Sequence, residues 1–154
     1  MALEDDLRNL VRNPVLAALE PEALRQVAQG ALPRTLRAGD ILFHRDEPSE
    51  GGFLLRSGSI AFDPPRQDAT SRIVWPPALI GEMALIAPTR RPTSATAREP
   101  ASVLEIPRAL FQRALSESPR SAERLRRLIA TRLRGFAGDL DELRGRVLND
   151  LEGG

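Results

Sequence analysis

Glu82 and Arg91 are the pair whose chemistry and spacing point most directly to a bound ligand. They lie in the stretch Gly81-Glu-Met-Ala-Leu-Ile-Ala-Pro-Thr-Arg-Arg-Pro-Thr-Ser-Ala-Thr-Ala97. A glycine there lets backbone come close to a ligand. A carboxylate follows, then a short apolar run that reads as one or two helical turns ending at Pro88. Arg90 and Arg91 come next, with the hydroxyls of Thr93 and Ser94 just beyond. Helix N-terminal amides and an arginine fork suit a small anion with a hydroxylated neighbour, such as a sugar phosphate. On pattern alone the same residues also suit a plain helix between two strands with an arginine at its solvated end.

Composition removes several other chemistries. The 154 residues are enough for one domain with a real core, and 42% hydrophobic with 28% charged residues is ordinary for a globular chain. The formal net charge of +1 argues for neither a nucleic-acid nor a membrane partner. There is no cysteine, so disulfides, thiolate metal sites and iron–sulfur clusters are excluded. The one histidine, His44, cannot make a paired-histidine metal site; it falls at a strand end and is expected on the surface. No apolar run approaches the ~20 residues of a membrane span, and no segment resembles a signal peptide, so the expected compartment is the cytoplasm. No nucleophile–base pair accompanies Glu82 and Arg91, which gives an enzyme no footing.

The elements that must position these residues can be read in order. Leu3, Leu7, Leu10 and Val11 form one face of a short helix, interrupted at Asn13-Pro14. Pro21 opens a second helix that Gly30 ends. From Thr35 the pattern becomes short strands with frequent turn residues. Strands are expected at 41–43, 53–55, 59–62, 72–75, 94–98 and 102–106. Residues 47–52 are expected as a loop, 63–69 as a polar, proline-rich hairpin tip, and 76–80 as a stiff proline turn with few backbone donors. Pro107 opens a helix to about Ser116, and Pro119 opens the last one.

That last helix carries Ile129, Leu133, Phe136, Leu140, Leu143 and Val147 at alternating spacings of four and three. The spacing predicts a heptad seam of about three repeats and a homodimer through this helix, with a lid on the chain's own roll as the alternative. Gly135 and Gly138 each cost about 1 kcal/mol against alanine in a helix interior. The arginines from Arg120 to Arg134 read as a solvated flank, because Asp139, Asp141 and Glu142 follow at once.

Gly-Glu-Met-Ala-Leu-Ile, then Arg91, small residues and Ser94, closely resembles the phosphate-binding cassette of the cyclic nucleotide-binding domain family. Leu36-Arg-Ala-Gly-Asp-Ile-Leu-Phe43 and Phe53-Leu-Leu-Arg-Ser-Gly58 are similar to that family's early roll strands, and Val103-Leu-Glu-Ile106 to its last strand. The resemblance covers roughly residues 14–135. It implies an α+β, mainly β, fold: an antiparallel β-roll or jelly roll flanked by N-terminal helices and two C-terminal helices, the last one long. Residues 1–118 would hold the leading helices, the roll and the following helix, and 119–154 the long helix. It implies a sensor or regulatory domain that binds cyclic AMP, with cyclic GMP as the alternative ligand, in which the ligand repositions the last helix. A scaffold module of the same fold and the cytosolic domain of a channel are the alternative functions. No metal, cofactor or membrane insertion is implied.

By the same resemblance, Glu82 would accept a hydrogen bond from the ribose 2′-hydroxyl and Arg91 would pair with the cyclic phosphate. Gly81 and the backbone amides of Met83 and Ala84 would line the cradle, and Pro92, Thr93 and Ser94 would stand beside the ligand. Arg90 is the alternative for the work of Arg91, and a mutual ion pair is the alternative for Glu82 with Arg91. Pro92 departs from the family, because it brings neither an N–H nor a hydroxyl. Pro76-Pro77 departs too, where relatives carry a glycine-bearing turn. The family's transcriptional activators continue into a helix-turn-helix that this sequence does not show, so sequence-specific DNA reading is not expected.

Overall fold

In the computed structural model, residues 2–64 and 70–152 are described, the side chains of 136–152 excepted. Helix α1 spans Ala2–Leu10 and the short α2 spans Pro14–Ala17. Asn13 caps α2: its Oδ1 accepts from the amides of Val15 and Leu16, which is what an asparagine does for orphan donors at a helix start. Helix α3 runs Pro21–Gly30 with its proline in the first turn, as the sequence implied.

Among the described residues eight strands follow: β1 Leu32–Leu36, β2 Ile41–Phe43, β3 Gly51–Ser57, β4 Ile60–Phe62, β5 Arg72–Val74, β6 Ala78–Ile80, β7 Ala95–Ala97 and β8 Ala101–Pro107. Between β6 and β7 lies the five-residue helix α4, Glu82–Ile86. Helices α5, Arg108–Ser116, and α6, Pro119–Glu152, close the described chain. The strands make two antiparallel sheets, one ordered β1-β8-β3-β6 and the other β2-β7-β4-β5. This is the mainly β roll with flanking helices that the resemblance implied.

Two expectations need correction. Gly51 and Gly52 belong to β3, because β8 runs alongside them in register opposite Pro107 and Ile106. A Cβ on Gly51 would lie 2.0 Å from the Ile106 carbonyl oxygen, so only glycine can bring the strands this close. Ala78 to Ile80 form an edge strand on β3, with Ile80 opposite Phe53, where the sequence suggested only a turn.

Side chains alternate between two cores, as the two-residue period of a strand requires. Leu54, Leu104 and Ile106 face the helices with Leu10, Leu16, Val27 and Phe111. Phe53, Leu55 and Val103 face the second sheet with Leu42, Phe43 and Ile60. Phe53-Leu54-Leu55 in β3 and Val103-Leu104 in β8 are therefore apolar on both faces and do not alternate with polar residues. In α6, Leu125 is buried and Ile129 is partly covered by the helical core, whereas Leu133 is 64% exposed. The rest of the seam, Phe136, Leu140, Leu143 and Val147, lies outside the described side chains. Residues 65–69 of the tip expected at 63–69 are likewise outside the described residues.

Candidate functional site

A cavity of about 500 Å3 lies between the inner face of the β2-β7-β4-β5 sheet and the edge strand β6. That size falls within the usual ~300–1,000 Å3 of small-molecule sites. Of the residues assigned from the sequence, Gly81, Arg91, Pro92 and Thr93 line it. Phe43, Phe62, Arg72 and Val74 also line it, and sequence reasoning did not single them out.

Arg91 is held from several sides. Its amide donates to the Glu47 carbonyl at 2.9 Å, and its carbonyl accepts from the Asp46 amide at 2.8 Å. The residue is only 6% exposed. One terminal nitrogen donates to the Gly51 carbonyl at 2.8 Å. The guanidinium carbon sits 4.4 Å from the Phe43 ring centre and 5.5 Å from that of Phe53, within cation–π range. Its Nε is buried with no hydrogen-bond partner among the described residues. Burial lowers the pKa of Arg91; Glu47 opposes that shift, Arg108 adds to it, and Glu105 opposes it. A cation in such surroundings gains by meeting an anion.

Gly81 has φ of 78°, in the left-handed region, and precedes α4. A Cβ there would approach an Arg91 terminal nitrogen to 2.6 Å. The glycine thus makes room for the arginine as well as for the turn. The Ala84 amide donates back to the Gly81 carbonyl at 3.0 Å, and the Met83 side chain is exposed.

Glu82 is placed differently. It does not line the cavity; its carboxylate accepts at 2.6 Å from Arg132 of α6 and at 3.2 Å from the side-chain Nδ2 of Asn13. Its ionic partner is therefore Arg132 and not Arg91. Thr93 donates to the Asp63 carbonyl at 3.0 Å, and the Ser94 hydroxyl accepts from the Arg45 amide at 2.8 Å. Arg90 is exposed and donates to the Asp46 carbonyl at 2.9 Å. Arg108, also missed from sequence, donates to the carbonyls of Ser49 at 3.1 Å and Ala84 at 2.9 Å, tying α5 to both arms of the site.

The profile of the family described as cyclic nucleotide-binding domain matches residues 33–118, more than half of the chain. The chain belongs to that family. Among its relatives, a cyclic nucleotide-gated potassium channel of Mesorhizobium japonicum is 32% identical over 124 residues, 80% of this chain and 34% of the channel. The chain thus spans about a third of that relative's length. A cyclic nucleotide-binding-like protein of Brucella abortus is 36% identical, with a TM-score of 0.67 covering 73% of this chain and 98% of that one. The N-terminal domain of a Streptomyces coelicolor transcriptional regulator is 30% identical, with a TM-score of 0.75 covering 86% of this chain and 94% of that domain. These relatives include a channel and a transcriptional regulator. Among the described residues, no cluster of metal-ligating side chains occurs and no helix is long and apolar enough to cross a membrane.

Proposed function

We propose that this chain is a cyclic-nucleotide sensor, taking cyclic AMP in preference to cyclic GMP, with a binding and not a catalytic role. The observation that carries the reading is Arg91: a buried guanidinium at a cavity wall, with one N–H unpartnered and its charge desolvated. Leaving a buried donor unpaired costs about 1–3 kcal/mol, and a cyclic phosphate would relieve that cost. Family membership supports the ligand class. Pro92 at the cavity wall supports the base preference, since it offers no hydroxyl to a guanine.

The link from ligand to output is the contact between Glu82 and Arg132. If Glu82 is to accept a ribose hydroxyl, it must turn from Arg132, and α6 loses a tether. The two side chains are 26% and 44% exposed, so the pair is worth no more than about 0.2–1 kcal/mol. A nucleotide can displace a tether this weak. Signal would then leave through α6, by the dimer seam that the heptad spacing predicts.

Amide hydrogen exchange with and without saturating cyclic AMP tests both halves. The expected result is protection across residues 81–94 together with changed exchange at the start of α6. Exchange unaltered in both segments overturns the sensor reading, and protection without any change in α6 overturns the coupling.

A further inference from the structure

The inner face of the second sheet carries a row of residues in direct cross-strand register. Phe43 pairs with Ala95, Ala95 with Phe62, and Phe62 with Arg72, across all four strands β2, β7, β4 and β5. Alternate side chains of a strand share a face, so these four point the same way. Ala95 is small, and the rings of Phe43 and Phe62 approach over it to 6.3 Å between centres. Phe43, Phe62 and Arg72 line the cavity.

A guanidinium stands at each end of this row. Arg91 is buried against Phe43. At the other end Arg72, exposed on the edge strand, holds its guanidinium carbon 5.9 Å from the Phe62 ring centre. The two arginines differ in what they can do. Arg91 is fixed and desolvated and suits an anion. Arg72 is exposed, its side chain has no hydrogen-bond or ion-pair partner among the described residues, and it already stands over an aromatic ring. The wall between them is apolar, its two rings inclined to each other by 43°. A ligand that fits this order has a negative group at one end and a planar ring at the other.

We propose that Phe62 and Arg72 form a clamp for the nucleobase, with Phe62 as its floor and Arg72 folding over the outer face of the ring. Arg72 has this role only if the cavity takes a cyclic nucleotide, as proposed above. It makes Arg72 a specificity residue that senses the base and leaves the phosphate to Arg91. The contact is stacking, so it depends on a planar cation more than on charge alone. At 5.9 Å no base fits between guanidinium and ring, so Arg72 must lift from Phe62 as the ligand enters.

The test compares cyclic AMP with ribose 3′,5′-cyclic phosphate, which lacks the base, by calorimetry on wild type, Arg72→Ala and Arg72→Lys. Thermal melts check that the variants remain folded, as expected for a substitution at an exposed edge position. The expected result is a loss of about five- to thirtyfold for cyclic AMP in Arg72→Ala, the range of cation–π and base-stacking contacts. The base-free ligand should lose less than about twofold, and Arg72→Lys should recover little, because lysine keeps the charge without the plane. Equal losses for both ligands, or full recovery in Arg72→Lys, would show Arg72 acting as a point charge and overturn the clamp. Unchanged affinity for cyclic AMP in Arg72→Ala would overturn it as well. If wild type binds neither cyclic AMP nor cyclic GMP, the sensor reading itself fails, and the clamp with it.

Discussion

Arg91 combines two tasks that few side chains could share. Its flat guanidinium lies on Phe43 and bonds to Gly51, and the residue still lines the cavity. Lysine has neither the plane nor the fork. Arg91→Ala is expected to weaken cyclic AMP by about 2–5 kcal/mol, tens- to thousands-fold, as for a buried charge-assisted contact. Arg90→Ala should cost far less, because Arg90 is exposed and its bond is to the Asp46 carbonyl. Calorimetry on the two variants checks this, and equal losses would remove Arg91 from its role. Pro92 lies at the same wall and lacks an amide hydrogen. If that missing donor limits affinity, Pro92→Ala should tighten cyclic AMP by roughly tenfold, since a charge-assisted hydrogen bond is worth about 1.5–3 kcal/mol. A weaker Pro92→Ala would mean that the ring instead serves to hold Arg91 extended.

At the level of elements, the short helix α4 and its glycine set the position of the site. Gly81→Ala puts a side chain at a φ of 78° and within 2.6 Å of an Arg91 nitrogen. It should lower stability by about 1–2 kcal/mol and also weaken cyclic AMP, a pairing that a melt and a titration on one sample would reveal. The contact between α4 and α6 gives a prediction of opposite sign. Arg132→Gln frees Glu82, so binding should tighten by about two- to fivefold, the most that a half-exposed ion pair allows. A weaker Arg132→Gln would place Arg132 with the ligand and not against it. Helices α1, α3, α5 and α6 and most strands were legible because proline and glycine mark their ends and apolar residues keep their period. Strand β6 was not legible, since its partner β3 is distant in sequence and two prolines precede it. Asn13 and Arg132 were missed as partners of Glu82 for the same reason: 69 and 50 residues separate them from it. The aromatic row escaped notice because Phe43, Ala95 and Phe62 meet only through sheet register.

On the scale of the whole molecule, the β1-β8-β3-β6 sheet is a wall between two cores, and the site lies where the edge strands β5 and β6 leave an opening. Strands β3 and β8 carry the helical core on one face and the inter-sheet core on the other. Arg91 is anchored to β3 and the 46–47 turn, Arg72 belongs to β5, and Glu82 reaches the helices. Ligand binding at this place would therefore touch both sheets and α6 together. The heptad spacing adds an output: Leu140→Glu should shift the protein from dimer to monomer in sedimentation while leaving the melt of the roll intact. Wild type sedimenting as a monomer at high micromolar concentration, with and without ligand, would refute the seam. The central claim is that the cavity beside Arg91 receives a cyclic nucleotide. Calorimetric titration of wild type and Arg91→Ala with cyclic AMP and cyclic GMP tests it most directly. Saturable one-site binding of wild type, stronger for cyclic AMP and largely lost in Arg91→Ala, is the predicted result; no heat from either nucleotide, or equal binding by both proteins, would contradict it.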